Sequence, residues 1–216
     1  MKTIQFENQK INVGKIVCVG RNYVEHAKEL GNEVPTFPII FLKPASNLIF
    51  STEKIQHPDY SHEMHHEVEL VLLIGENIKD ADENQAKSAI MGFAVGLDMT
   101  LRDIQDELKK KGHPWTLAKC FDGSAVVSDF ISAQKYQYKG NEKISLSVNN
   151  ELRQNSTLNL MIFNIVEIVK YISSKMTLEK GDLIFTGTPS GVSKVKISDK
   201  LVGEIENIGK LETEII

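Results

Sequence analysis

Cysteine is scarce in this chain. Cys18 and Cys120 are the two it carries in 216 residues, too few for the disulfide framework of a small secreted domain and too far apart for a zinc-ligand pair. Both are expected to be buried, reduced thiols. Long apolar runs are missing as well: none reaches the ~18 to 20 residues that cross a bilayer. The opening Met1-Lys2-Thr3-Ile4-Gln5-Phe6-Glu7 has no apolar stretch and carries an early acid, which argues against a signal or transit peptide. Net charge is a mild −4 with no block of one sign, so a nucleic-acid surface is not indicated. No Pro/Gly/Ser-rich linker and no repeat divides the sequence. No nucleophile elbow, GxGxxG, Walker or CxxC pattern occurs, which disfavours serine hydrolase, Rossmann dehydrogenase and thiol-redox chemistry. The expectation is a single domain over 1–216, soluble and cytoplasmic, with neither nucleic acid nor membrane as partner.

What the sequence does contain is His65-His66-Glu67-Val68-Glu69-Leu70-Val71-Leu72-Leu73-Ile74-Gly75, a buried-strand pattern interrupted by two carboxylates. Side chains alternate along a strand, so Glu67 and Glu69 point one way while Val68 and Leu70 point the other. Two neighbouring anions in apolar surroundings call for a cation, a shared proton or an Arg/Lys partner. Gly92 to Asp98 reads as a second buried strand with an acid at its end. If the two strands are neighbours, Glu67, Glu69 and Asp98 converge as an all-oxygen set suited to Mg²⁺, Mn²⁺ or Ca²⁺. Equally open is that Glu67 and Glu69 face solvent on a half-exposed strand.

Around this stretch, Lys15–Gly20 and Pro38–Pro44 read as strands. Between them Asn22 and Glu25 have the spacing of a capping box and Gly31 that of a C′ residue. A helix of about two turns follows, short enough to order and disorder as a lid. His26 and Glu29 share one face of it, the arrangement of a base oriented by a carboxylate. A further helix is expected from Thr100, with Asp103 completing a capping box and Gly112-His113-Pro114 ending it; Arg102 and Gln105 then lie together near Asp98. Residues 115–123 read as extended or loop, with Lys119 among apolar neighbours. Residues 144–154 form a hairpin turning at Asn149-Asn150, residues 158–173 an amphipathic helix with Asn164, Glu167 and Lys170 on its outer face, and residues 200–216 a closing hairpin. Thr186-Gly187-Thr188-Pro189-Ser190-Gly191 is a tight loop after strand Leu183–Phe185. Lys43, Arg102 and Lys119 are candidate contacts for a substrate carboxylate. His65 and His66 point to opposite faces, so at most one could join Glu67, and structural hydrogen bonding is the expected role.

In order along the chain stand Gly20-Arg21-Asn22-Tyr23 with His26 and Glu29, Phe41-Leu42-Lys43-Pro44, His66-Glu67-Val68-Glu69-Leu70, Asp98-Met99-Thr100 with Arg102-Asp103-Ile104-Gln105, Trp115-Thr116-Leu117-Ala118-Lys119, and Thr186-Gly187-Thr188-Pro189. In these the chain resembles the fumarylacetoacetate hydrolase superfamily, and within it the acylpyruvase and oxaloacetate decarboxylase branch, over roughly residues 14–215. The resemblance implies an α+β fold, a mixed β-rich roll with a few peripheral helices, and a homodimer. It also implies that Glu67, Glu69 and Asp98 bind Mg²⁺ or Mn²⁺ with no organic cofactor. His26 and Glu29 would sit on a lid near 22–30 and activate water, Lys119 would take part in catalysis, and Arg21, Lys43, Arg102, Gln105 and Thr188 would contact a small 2-oxo acid. The extra N-terminal domain of the tyrosine-degrading members does not occur in this sequence, so fumarylacetoacetate itself is not the expected substrate. The first expectation is cleavage of a carbon–carbon bond in 2,4-dioxo acids (acylpyruvates), giving pyruvate and a carboxylic acid. Oxaloacetate decarboxylation, keto–enol tautomerisation and a 2-hydroxymuconate-type isomerisation are alternatives on the same site, and a non-catalytic metal-binding scaffold is the alternative outside enzymes.

Overall fold

A computed structural model of the chain describes residues 2–216. In chain order, β1 (Thr3–Phe6) and β2 (Gln9–Asn12) make a small hairpin, β3 (Ile16–Gly20) leads through α1 (Val24–Glu29) to β4 (Ile39–Lys43), and β5 (Leu48–Phe50) follows. The two-residue β6 (Met64–His65) precedes β7 (Val68–Ile74); α2 (Glu83–Ser88) joins this to β8 (Ile90–Asp98), and β9 (Thr100–Leu101) runs directly into α3 (Arg102–Lys110). The single-turn α4 (Thr116–Lys119), β10 (Ala125–Val127) and β11 (Ile131–Ser132) come next. A hairpin of β12 (Lys143–Val148) and β13 (Glu151–Thr157), then α5 (Ile165–Lys175), β14 (Leu183–Phe185) and a hairpin of β15 (Lys200–Ile205) and β16 (Gly209–Glu214) complete the chain.

The main sheet has the order β4-β3-β14-β7-β8-β10-β5, with β11 also on β8. It is mixed: β14 runs parallel to β3 and β10 parallel to β5, while β7 is antiparallel to both of its neighbours. A second, antiparallel sheet has the order β13-β12-β15-β16. The α+β, β-rich roll with peripheral helices expected above is what the chain forms.

Every residue of β7 is buried because both of its faces are covered, which is why, Glu69 apart, the strand reads as apolar rather than alternating. Val68, Leu70, Leu72 and Ile74 share one core with Ile144, Leu146, Leu201 and Leu211 of the second sheet and with Ile168 and Ile172 of α5. Val71 and Leu73 share the other with Ile16, Cys18 and Phe185 and with Ile4, Phe6 and Ile11 of the first hairpin. At ~25 cal/mol per Å² of apolar surface removed from water, these two layers supply the main drive for burying the strand. The sheets meet at Gly203, where a Cβ would come within 3.2 Å of Val68 Cγ2.

Four local expectations are corrected by tertiary demand. Asn22 does not cap α1. Tyr23 is the N-cap residue and contributes no side-chain cap, while the Asn22 amide donates to Thr186 O (2.8 Å) and Phe163 O (3.0 Å) and accepts from Phe163 N (2.8 Å). Thr100 likewise lies in β9, α3 starts without a side-chain cap, and Asp103 accepts from Ser61 Oγ and His62 N. The stretch 115–123, read as extended or loop, contains the helical turn α4. Finally, the helix expected from 158 begins at Ile165: Leu158–Leu160 is a 3₁₀ turn, while Asn164, Glu167 and Lys170 are exposed as expected and the first two also form the capping box of α5. The other end of α1 conforms: Gly31 (φ 65°) follows the helix, with Gly31 N bonded to Lys28 O and Asn32 N to Ala27 O, the two bonds of a Schellman motif.

Candidate metal centre and cleft

The antiparallel register of β7 and β8 pairs Val68 with Leu97, and Asp98 N donates to Glu67 O at 2.9 Å. Glu67 and Asp98 therefore stand opposite each other on one face of the sheet, and period two adds Glu69 to the same face. Carboxylate oxygens of Glu67, Glu69 and Asp98 lie within 4.8 Å of one another. The three residues are 5 %, 2 % and 1 % exposed, so they do not face solvent.

The cations around this triad balance it unevenly. Lys119 Nζ reaches Glu67 Oε2 (2.8 Å), Asp98 Oδ2 (2.6 Å) and Thr100 Oγ1 (2.6 Å). Arg102 pairs with Glu67 Oε1 and donates from Nη1 to Gln105 Oε1 at 2.6 Å. Lys43 Nζ lies 2.7 Å from Asp98 Oδ1. Its hydrogen bonds, however, go to Ser124 O (2.7 Å) and Met99 O (3.2 Å), so Asp98 Oδ1 accepts none. Glu69 makes no ion pair among the described residues and accepts from Gly187 N at 2.7 Å.

These placements set the proton affinities. Burial pushes the Glu69 carboxyl well above the usual carboxylate range, and Asp98 and Glu67 push it further. Burial also acts to raise Glu67, but Lys119 and Arg102 outweigh it and hold that carboxyl below the usual range. For Lys119, burial favours the neutral amine, and the attraction of Asp98 and Glu67 overcomes it, so the side chain stays an ammonium. An all-oxygen donor set and one buried carboxylate without a cation together fit a hard divalent ion better than a thiolate- or imidazole-loving one.

The triad forms the floor of a cleft whose walls include Arg21, His26, Arg102, Gln105, Lys119 and Thr188. His26 is buried on α1, and its Nδ1 lies 3.3 Å from Glu29 Oε2. Burial lowers the imidazole below its usual value of 6.5, with Glu67 and Glu29 pulling the other way. With Nδ1–H donated to Glu29, Nε2 is left as an acceptor. Glu29 does not itself line the cleft; its carboxylate accepts from Gly191 N at 3.0 Å, which fastens α1 to the loop after β14. Thr188 Oγ1 accepts from Gln154 Nε2 at 2.8 Å, leaving its own O–H to donate. Lys43, expected among the substrate contacts, is 1 % exposed and lies behind Asp98 rather than on a cleft wall.

His66 is the structural residue its strand position suggested. Its ring nitrogens meet Gln154 Oε1 and Ser193 Oγ, each at 2.9 Å, and burial pulls its pKa down to about 4. Gln154 went unnoticed in the sequence, although it ties Val68 N, His66, Thr188 and Pro189 O together. It sits where β13 skips a residue against β12, and a bulge has no single-residue signature. Phe41, Lys109 and Trp115 also line the cleft. Trp115 is the chain's one tryptophan, a signal that was available; Lys109 gave none beyond a charge near a helix end.

Comparison with known proteins follows the same lines. The family model "Fumarylacetoacetate (FAA) hydrolase C-terminal" matches residues 15–216. The chain is 43% identical over 200 residues to a Bos taurus protein named oxaloacetate tautomerase FAHD1, mitochondrial, covering 93% of this chain and 90% of that one. It is 48% identical over 183 residues to the mitochondrial oxaloacetate decarboxylase of Dictyostelium discoideum, covering 84% of each. Among solved structures it resembles fumarylpyruvate hydrolase from Pseudomonas aeruginosa in complex with Mn²⁺ and pyruvate, with a TM-score of 0.96 and 35% identity over 100% of this chain and 95% of that one.

Proposed function

The chain belongs to the fumarylacetoacetate hydrolase family, and from that premise we propose that it is a divalent-metal enzyme acting on a small 2-oxo acid at carbon three. The observation that carries this reading is Glu69, a buried carboxylate without a cationic partner beside Glu67 and Asp98. Those three residues would hold Mg²⁺ or Mn²⁺, and the relative bearing Mn²⁺ and pyruvate supports that choice. The ion supplies positive charge beside the substrate's oxygens, which lowers the cost of removing a proton from carbon three.

The rest falls to the chain's own groups. His26, neutral and oriented by Glu29, takes the proton at Nε2 and returns it. Lys119, held charged among carboxylates, and Arg102 donate to substrate oxygens as negative charge develops, while Gln105 and Thr188 fix the substrate's orientation. Moving that proton between carbon three and the 2-oxygen, with no bond to carbon broken other than C–H, makes a keto–enol tautomerase for oxaloacetate, the reading favoured by the relatives that carry the tautomerase name. The same His26–Glu29 pair directing water at the distal carbonyl of a 2,4-dioxo acid makes an acylpyruvate hydrolase, the reading favoured by the fumarylpyruvate hydrolase likeness. A homodimer and a soluble location remain part of the proposal.

The test compares oxaloacetate enol–keto exchange, oxaloacetate decarboxylation and acylpyruvate cleavage with Mn²⁺, with Mg²⁺ and after chelation. Metal-dependent turnover in at least one assay is expected. Undiminished turnover after chelation sinks the metal centre, and no turnover of any 2-oxo acid leaves a metal-binding scaffold instead.

A further inference from the structure

The outer wall of the cleft carries two cations that the acidic floor does not balance. The Arg21 guanidinium lies 5.9 Å from the centroid of the Trp115 ring, and the Lys109 ammonium 5.7 Å from the same centroid. All three residues line the cleft. Arg21 makes no ion pair among the described residues, and the one partner of Lys109 is Asp106, a turn away on the same helix at 3.8 Å. By contrast, Arg102 and Lys119 deeper in the cleft are tied to Glu67 and Asp98.

Ordinary structural roles do not account for the pair. A lysine in the last turn of α3 complements the helix dipole, but exposed Lys110 and Lys111 already do so, the latter paired with Glu107. The Lys109 ammonium instead turns back to Trp115. Arg21 has φ 57°, in the left-handed region where glycine or asparagine fits more cheaply, so what arginine contributes at this position is its guanidinium. Burial lowers the proton affinity of both groups, and for Lys109 the nearby charge of Arg102 and of Arg21 adds to the effect. Two like charges partly withdrawn from water onto one aromatic ring repel each other and are stabilised by an anion between them.

We propose that Arg21 and Lys109, held on Trp115, form a second anion site that takes the far carboxylate of the substrate, so that this enzyme selects 2-oxo diacids over 2-oxo acids with a neutral tail. The inference rests on the 2-oxo acid reading above and adds the chemistry of the substrate's distal end. The indole face covers the carbon chain between the two poles, and the guanidinium fork gives the second carboxylate a fixed orientation.

Arg21→Gln and Lys109→Gln in the Mn²⁺-loaded protein test it, with oxaloacetate and fumarylpyruvate as diacids and acetylpyruvate as the neutral-tailed acid. Each variant is expected to lower the diacid-to-acetylpyruvate ratio of kcat/KM by about 10-fold, mainly through KM, as loss of one charged hydrogen bond implies. Lys109→Arg is expected to restore most of the ratio. An unchanged ratio, or an equal fall for both substrate types, overturns the proposal. Should either glutamine variant fail to fold in a thermal melt, wild-type protein still decides: calorimetry with 2-oxoglutarate and its 5-methyl ester is expected to show the diacid binding about 10-fold more tightly, and equal affinity overturns the second site. Failure to bind or turn over any 2-oxo acid is a different outcome, and it removes the reading on which this inference stands.

Discussion

The floor of the cleft and its cover are held by different kinds of structure. Glu67, Glu69 and Asp98 project from or beside two long paired strands whose register is locked by cores on both faces. His26 and Glu29 ride on a six-residue helix with a Schellman motif at one end, the Asn22 bonds at the other and the Glu29–Gly191 contact across its face. A helix that short has little stability of its own, so its place depends on a few tertiary bonds. The contrast divides labour: carboxylates that repel one another need a frame that does not relax, whereas a base that must admit substrate is better placed on a segment fastened at a few points.

If that division is right, the largest effect comes from breaking the floor. Glu69→Ala is expected to abolish measurable metal binding by calorimetry and to lower turnover by at least ~10³-fold, while the thermal transition of metal-free protein stays the same or rises because a buried repulsion is gone. A fall in metal-free stability would mean that Glu69 is structurally compensated after all. Next in size is the cover: His26→Ala should lower acylpyruvate hydrolysis by ~10²–10⁴-fold and leave Mn²⁺ affinity within about twofold. A matching loss of metal affinity would erase the distinction between the two halves.

Gly187 lies where the halves join, and a substitution there sharpens the comparison. Its φ is 98°, and a Cβ would come within 2.6 Å of Asn22 Cβ, while its amide holds Glu69. Gly187→Ala is therefore expected to loosen both halves at once, weakening metal binding by about 10-fold and exposing α1 to faster hydrogen exchange. Normal affinity with normal exchange would show that the loop yields without cost.

The smallest effect is the pH dependence of metal-free stability. Glu69 titrates higher in the folded protein than in the unfolded chain, so its contribution favours folding below the unfolded value near 4.5 and is lost as pH rises through the raised folded value. Denaturant midpoints of chelated protein should fall across that window and flatten in Glu69→Gln or with Mn²⁺ present. Glu67, held low, contributes in the opposite sense, its stabilisation being lost toward acid. A midpoint that rises through the Glu69 window would mean the floor is already balanced without metal.

Much of this was legible in the residues. Alternation along 67–74 implied a shared face for Glu67 and Glu69, and Asn149-Asn150 marked a hairpin whose turn residues both take positive φ, 52° and 67°, as a two-residue turn of that kind requires. The misreadings cluster at residues whose side chains have two uses. Asn22 and Asp103 look like caps because a cap needs a short polar side chain, but so does a buried cross-link, and spacing cannot tell which partner is nearer in space. Asn164 is outward, as helical spacing implied, and it also caps α5, a second use that spacing alone did not show.

The sequence by itself determined the periodicities: which residues alternate, which turns reverse, and which acids sit in apolar surroundings, because these follow from backbone geometry within a few residues. Only the tertiary structure decided that Asp98 stands opposite Glu67, that Lys43 lies behind Asp98 rather than in the cleft, and that Arg21 and Lys109 meet on Trp115. Those relations join positions tens of residues apart, and they arise from strand register and the burial of two cores, which no local pattern encodes.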